Sequence, residues 1–321
     1  MEESGVGKII EDSLEKHLEK GGRPSYNPYR LFAAILYAFS KHSGSLRRIE
    51  VAKLRETPHW SYSAMQCYLS CPLKYKFRYI DNAEVERTGS CFPFGRAFHA
   101  ALSERARIGI DMSEREVCDV FEDFFKVECE AAQNLTYKQN EDYDTLLQTG
   151  FRMLEAACEN WMDDYAVQRV AESFSVNVPG LSKPLIGEFD CVVTDGKDTC
   201  IVDWKTSSAK WAVGKADKDL QATAFCYAFR EKHGEKPLFR FDVITKAKSP
   251  TVNNHYTLRT DDELNRFVSL ANQIERSVNS GNFYPNETGF SCGECPYADR
   301  CKKWGYSPRT NLLNHSGTSV E

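Results

Sequence analysis

The hydrophobic period of the chain changes near residue 174. Upstream, apolar residues recur every three or four positions, through Val117, Val120, Phe121, Phe124 and Phe125 and then Leu147, Phe151, Leu154, Cys158, Trp161 and Tyr165. That spacing lines one face of a helix, so residues 60–170 are expected to be mainly helical. Downstream, Phe174, Val176 and Val178 alternate with polar residues, and two more β-type runs, Leu185 to Val193 and Thr199 to Asp203, flank Asp195-Gly196. Alternation with a period of two marks a strand, and Asp-Gly between two such runs is a hairpin signal. A helix from about Asp217 to Lys232 comes next, then strands through Phe239–Val243 and His255–Leu258, and an amphipathic helix over 261–280. Helices, a small sheet, then helices around it make an α/β plan.

Composition narrows the class. The chain has 321 residues, 41% apolar and 27% charged, which is ordinary for a globular protein with a sizeable core. Its longest apolar stretch, Leu31 to Phe39, is about half the roughly 20 residues a bilayer crossing needs. No membrane span is expected, and the polar N-terminus lacks the apolar region of a secretory signal. A cytoplasmic location follows, and there the twelve cysteines should stay unpaired. Cys118, Cys129, Cys158, Cys191, Cys200 and Cys226 each lie alone in apolar or helical patterns and read as small core residues. Residues 1–55 carry ten basic and seven acidic side chains, a net of +3, which leaves −8 for the remainder of a chain of net charge −5. An acidic body of this kind binds nucleic acid only through a local basic groove.

The hairpin carries the chemistry. Asp190 ends Gly187-Glu188-Phe189-Asp190, and Asp203-Trp204-Lys205 follows on the next strand, with Asp203 and Lys205 on one face. Two carboxylates and an ammonium among Cys191, Val192, Val193, Ile201 and Val202 are costly to bury without partners. A divalent Mg²⁺ or Mn²⁺ suits the carboxylate oxygens, and a lysine beside it stabilises developing negative charge. A salt-bridged edge hairpin accounts for the same local spacing. Near the C-terminus, Cys292-Gly-Glu-Cys295-Pro-Tyr-Ala-Asp-Arg-Cys301 places three thiols close enough to share one ion or cluster, and zinc and iron–sulfur sites both accept four cysteines.

The ordered set resembles the PD-(D/E)XK nuclease superfamily, and in particular its RecB-like iron–sulfur branch, over about residues 60–304. Gly95-Arg96-Ala97-Phe98-His99 matches that branch's Gly-x-x-x-His helix. Glu172 matches its strand glutamate, Asp190 its first aspartate, and Asp203-Trp204-Lys205 its Asp-x-Lys strand. Gln221 matches a later helix that carries a tyrosine four positions on. Here residue 225 is phenylalanine, and Tyr227 comes two residues later. The resemblance implies a restriction-endonuclease-like core, a small mixed central sheet flanked by helices, with a helical insertion. It assigns His99, Asp190, Asp203 and the Trp204 carbonyl to metal, and Asp190, Asp203, Lys205, Gln221 and Glu172 to catalysis. Cys71, in Ser70-Cys71-Pro72, with Cys292, Cys295 and Cys301 matches the four ligands of a [4Fe–4S] cluster in the AddB C-terminal nuclease domain and the CRISPR-associated RecB-like exonucleases. Cys67 is an alternative first ligand, and zinc ranks behind the cluster as occupant. Lys210, Lys215 and Lys218, together with Tyr227, are the expected DNA-binding residues.

The function expected is a metal-dependent deoxyribonuclease, exonucleolytic on single-stranded DNA ends, in recombination, repair or CRISPR-type processing, with a helicase or integration-complex protein as partner. The rival is a non-catalytic DNA-binding scaffold subunit that keeps the same fold. Residues 23–55, with Gly22-Arg23-Pro24-Ser25-Tyr26 and Ser45-Leu46-Arg47-Arg48-Ile49-Glu50, instead resemble the N-terminal domain of DDE insertion-sequence transposases. The expected organisation is a helical extension over 1–56, either accessory DNA-binding or remnant, a nuclease domain over 57–304, and a disordered polar tail over 305–321.

Overall fold

The computed structural model of the chain describes residues 54–162, 164–287 and 292–305. The expected extension and tail therefore lie outside the described residues except at 54–56 and 305, and so does the transposase-like segment apart from residues 54 and 55.

Each long helix begins where a side chain can take up the first free backbone N–H groups. Ser113 and Glu116 form a capping box that opens α4, Glu114–Ala131. Asp142 and Thr145 do the same for α5, Tyr143–Glu159, and Thr260 and Glu263 for α7, Asp261–Asn279. Asp219 caps α6, Leu220–His233. The start of the stretch expected to be helical breaks at Cys71-Pro72 into α1, Tyr62–Ser70, and α2, Pro72–Tyr75, with a π-helical turn over Lys76–Ile80. Helix α3 runs Cys91–Ile108, and its Phe94 and Phe98 interleave with Phe121 and Phe125 of α4. Helix α8, Ala298–Lys303, lies near the C-terminus.

The main sheet has six strands: β1 (Trp60–Ser61), β4 (Ala166–Val176), β5 (Leu185–Thr194), β6 (Thr199–Ser207), β7 (Leu238–Thr245) and β8 (Val252–Thr257). Two short strands, β2 (Thr88–Gly89) and β3 (Leu135–Thr136), pair separately, a ladder too short to leave a hydrophobic period. In the main sheet β4 runs antiparallel to β5, β5 to β6, and β7 to β8. β6 and β7 are parallel, and α6 is the crossover between them. The expected hairpin forms, closed by Thr194↔Thr199. Gly196 takes φ +92°, and Asp195 Oδ1 accepts from the N–H groups of Lys197 and Asp198 at 2.9 and 2.8 Å.

Strand β4 begins at Ala166, eight residues before its alternation becomes legible. Its register shifts between Val167 and Arg169, and Ala171 takes φ +50°, so its first half has no clean period of two. Strand β5 slips phase with it. Leu185 and Phe189 face one core, while Cys191 and Val193 face the other. The sheet is thus a middle layer. One core lies between it and α1, α6 and α7, around Phe189, Phe225, Phe229, Phe239 and Phe241. The other lies under α3, α4 and α5, around Phe94, Phe121, Phe125, Val202 and Trp204. The architecture is the mixed α/β one expected, a mixed central sheet between helices.

Candidate active site

Strands β5 and β6 pair only from Thr194↔Thr199 to Cys191↔Val202. Beyond that they part, and β1 joins the vacated edge of β5 through Trp60↔Leu185 and Ser61↔Ile186. Asp190 and Asp203 are the first residues on either side of the fork. In place of a ladder bond, the Trp204 N–H donates to Asp190 Oδ2 at 3.1 Å. From the α3 side, His99 Nδ1 lies 3.0 Å from the same oxygen. From the α6 side, Gln221 Nε2 donates to Asp203 Oδ1 at 2.5 Å. Asp219, which caps α6 by accepting from the Gln221 N–H at 2.8 Å, fixes the turn that delivers this amide.

Asp203 is only 2% exposed. Its Oδ2 pairs with Lys205 Nζ. Burial, then the charge of Asp190, pushes the Asp203 carboxyl up to about 6, against the pull of Lys205 and His99. At Asp190 burial also raises the carboxyl, but His99, Lys205 and the Trp204 N–H outweigh it and hold it below its ordinary range. Burial opposes charge on His99 and on Lys205. The carboxylates beside them prevail and raise both. The result is a buried Asp203 and a partly buried Asp190 facing a lysine and a histidine. A small divalent cation fits such a set, because hard cations take carboxylate oxygens and the charge of Asp190 beside Asp203 opposes ionisation of both. Among the described residues no three His, Cys, Asp or Glu side chains form a ready metal cage. The protein's own cations stand against both aspartates instead.

Of the other residues singled out from sequence, Gln221 stands in the site. The Trp204 ring packs edge-on to His99 at 6.3 Å and stacks on Trp161 at 6.4 Å. Glu172 does not join them. It pairs with Phe189 across β4–β5, and it is taken up by Lys232 Nζ at 3.0 Å and His233 Nε2 at 3.2 Å, at the far end of α6 from Gln221. Tyr227 is 2% exposed, and its hydroxyl donates to the Asn177 carbonyl at 3.1 Å, so its ring is a core element and presents no surface to DNA. Lys210, Lys215 and Lys218 are exposed on the loop after β6. Lys215 Nζ sits 3.9 Å above the Trp211 ring, which packs on the Phe241 ring that Lys205 also approaches.

Two residues of the site carry no sequence signal. One is Asp219, whose charge adds to those that raise Lys205. The other is Tyr62, the first residue of α1, whose ring meets Phe225 edge-on at 6.4 Å. Burial, then Asp219 and Asp203, raises its phenol. Phe225 lies one turn after Gln221, so a phenol from a distant element stands beside the position where a tyrosine was sought.

The cysteines gather at the other end of α1. Cys71 precedes α2, and Cys71, Cys295 and Cys301 pack around Leu73, Phe77 and Tyr297. Asn286 touches two of the thiols. Its N–H donates to Cys71 Sγ at 3.5 Å, and its carbonyl accepts from Cys292 Sγ at 3.5 Å. Burial, then Cys71, Cys295, Glu287 and Cys292, raises the Cys301 thiol. Cys67 is buried nearby.

A family model described as the PD-(D/E)XK nuclease superfamily matches residues 59–302. The chain belongs to the PD-(D/E)XK nuclease superfamily. It is similar to the crystal structure of a "Putative exonuclease" from Eubacterium rectale, with 14% identity over 87% of this chain and 95% of that one, at a TM-score of 0.52. At that identity the likeness shows the shared fold. The crystal structure of SSO0001 matches 74% of this chain and 92% of its own, at 13% identity and a TM-score of 0.33. No curated protein matches the chain. Among the described residues of this superfamily nuclease, no helix is long and apolar enough to cross a membrane.

Proposed function

We propose that this superfamily nuclease is a metal-dependent deoxyribonuclease, and that it removes nucleotides from single-stranded DNA ends. The observation that carries the metal requirement is the pair of aspartates at the fork, Asp203 buried and its carboxyl raised by burial and by Asp190 beside it. His99, Asp190 and Asp203 would hold Mg²⁺ or Mn²⁺. Bound there, the cation supplies Lewis-acid stabilisation of phosphate charge and acidifies water. The remaining chemistry belongs to the chain. Gln221 holds Asp203 Oδ1 and so points Oδ2 inward. The Trp204 N–H holds Asp190 in the fork. Lys205, kept charged by the two aspartates, faces the negative charge that develops on the phosphate. Hydrolysis forms one P–O bond to water and breaks the one to the leaving sugar oxygen, which takes up a proton.

Exonucleolytic action on single strands rests on the resemblance to the RecB-like branch and on the name of the structural neighbour. The same resemblance supports a [4Fe–4S] cluster on Cys71, Cys292, Cys295 and Cys301, which approach one another from both ends of the described chain around Asn286. It also supports reading residues 57–304 as the nuclease domain, with Lys210, Lys215 and Lys218 steering the strand.

The test uses anaerobically purified wild type and Asp203→Ala, each incubated with end-labelled single-stranded and duplex DNA in Mn²⁺, Mg²⁺ or EDTA. Metal-dependent loss of label from single strands by wild type alone is the expected outcome. Binding without cutting by both proteins would overturn the catalytic reading in favour of a scaffold subunit.

A further inference from the structure

Two described helices carry a glycine in their interior, Gly95 in α3 and Gly150 in α5. Glycine weakens a helix, so each needs a reason. At Gly150 packing gives one: a Cβ there would lie 2.1 Å from the Phe121 ring. At Gly95 a Cβ would meet nothing within 4 Å. No described neighbour requires a glycine at that position, so packing among the described residues does not supply its reason.

The position says what that reason is. Phe92, Gly95, Arg96 and His99 share one face of α3 by helical spacing, while Phe94, Ala97, Phe98 and Ala101 fill the core on the other. Phe92 is 54% exposed, unlike the other α3 phenylalanines. The face ends at His99, against Asp190 at the fork. From Phe92 to His99 the helix rises about 10 Å, the length of about three stacked nucleotides. Arg96 is held in place by Glu128 at 2.5 Å, and Lys246 Nζ lies 3.7 Å over the Phe94 ring nearby.

We propose that this face of α3 is the floor along which one DNA strand enters the active site, its sugar–phosphate backbone passing over Gly95 and a base stacking on Phe92. The inference rests on the nuclease reading and adds the path of the substrate. A methyl at residue 95 would stand between helix and strand, whereas glycine lets the backbone come close. An exposed aromatic ring takes any base, which suits a strand read without regard to sequence.

The experiment compares full-length wild type, Gly95→Ala, Gly95→Leu and Phe92→Ala. It measures thermal midpoint, binding of a fluorescein-labelled oligothymidylate in EDTA, and cleavage of the same oligonucleotide in Mn²⁺. Gly95→Ala should raise the midpoint by about 1–3 °C, because alanine favours the helix. It should nevertheless cut about tenfold more slowly, and Gly95→Leu more slowly still. Phe92→Ala should weaken oligonucleotide binding by about tenfold. A Gly95→Ala protein that melts higher but binds and cuts like wild type would overturn the proposal, as would one that melts lower, since packing would then explain the glycine. If wild type binds but does not cut, the nuclease reading fails while the binding comparison still decides the track.

Discussion

Asp203 shows how one residue can be poorly placed for stability and well placed for a cation. In the folded, metal-free protein its carboxyl is raised to about 6, above its unfolded value, so the stability it contributes is complete below the ordinary aspartate range and is lost as pH rises through 6. Asp203→Asn removes that loss. In EDTA its melting temperature should exceed that of wild type at pH 7.5, and the gap should close on titration toward pH 4. Adding Mn²⁺ at pH 7.5 should raise the wild-type midpoint and leave Asp203→Asn unmoved, since a ligand stabilises only a state that binds it. Equal metal-induced shifts in both proteins would place the cation elsewhere. Lys205→Met should slow cleavage by about 10²–10³-fold, the usual cost of losing one stabilising donor, in single-turnover assays at saturating metal.

At the scale of elements, the fork stays open because β1 occupies the edge that β6 leaves, and Glu275 of α7 holds β1 there. This carboxylate is 7% exposed and accepts from Trp60 Nε1 at 2.9 Å and from the Ser182 N–H and hydroxyl at 3.0 and 2.8 Å. Burial raises its carboxyl, but the Trp60 and Ser182 donors outweigh burial and hold it below its ordinary range. Its contribution is therefore present above the ordinary glutamate range and is lost as pH falls through the lowered value. Glu275→Gln should cost about 1–3 kcal/mol at pH 7 by denaturant unfolding, with the deficit shrinking on acidification. Gly150→Ala, which drives a methyl into Phe121, should cost about 1–3 kcal/mol as an overpacked core. A neutral result would mean that α4 and α5 part more easily than their aromatic contacts suggest.

Across the described molecule, the segment leading into α8 returns to the segment around α2. The Leu73 N–H donates to the Tyr284 carbonyl at 3.0 Å, the Glu86 N–H to the Pro296 carbonyl at 3.0 Å, and the Glu86 carboxylate in turn accepts from the Asp299 and Arg300 N–H groups of α8. A four-thiolate cluster at this junction would close a loop of more than 200 residues and so restrict the unfolded chain. Cys295→Ser should lose the cluster's visible colour and melt lower, with unfolding starting at the α2–α8 contact by hydrogen exchange. A colourless wild type with the same stability as Cys295→Ser would remove the cluster from the account.

The amino-acid sequence determined the local decisions by itself. Helical and alternating periods, the Asp195-Gly196 turn and the capping pairs are interactions between near neighbours, and they form where the sequence places them. The order of His99, Asp190, Asp203-x-Lys205 and Gln221 was read from the resemblance to the RecB-like branch, and the fold brings these side chains together. Tertiary structure alone decided the rest. Glu172 fits the expected order of residues, yet the phase slip at Ala171 turns it toward Lys232 and His233. Tyr227 lies two residues past the position sought, about 200° around the helix, and so points into the core. Tyr62 reaches the site from more than a hundred residues away in sequence because β1 settles on β5. Such contacts depend on which edge a strand vacates and which element fills it, and no spacing along the chain records that choice.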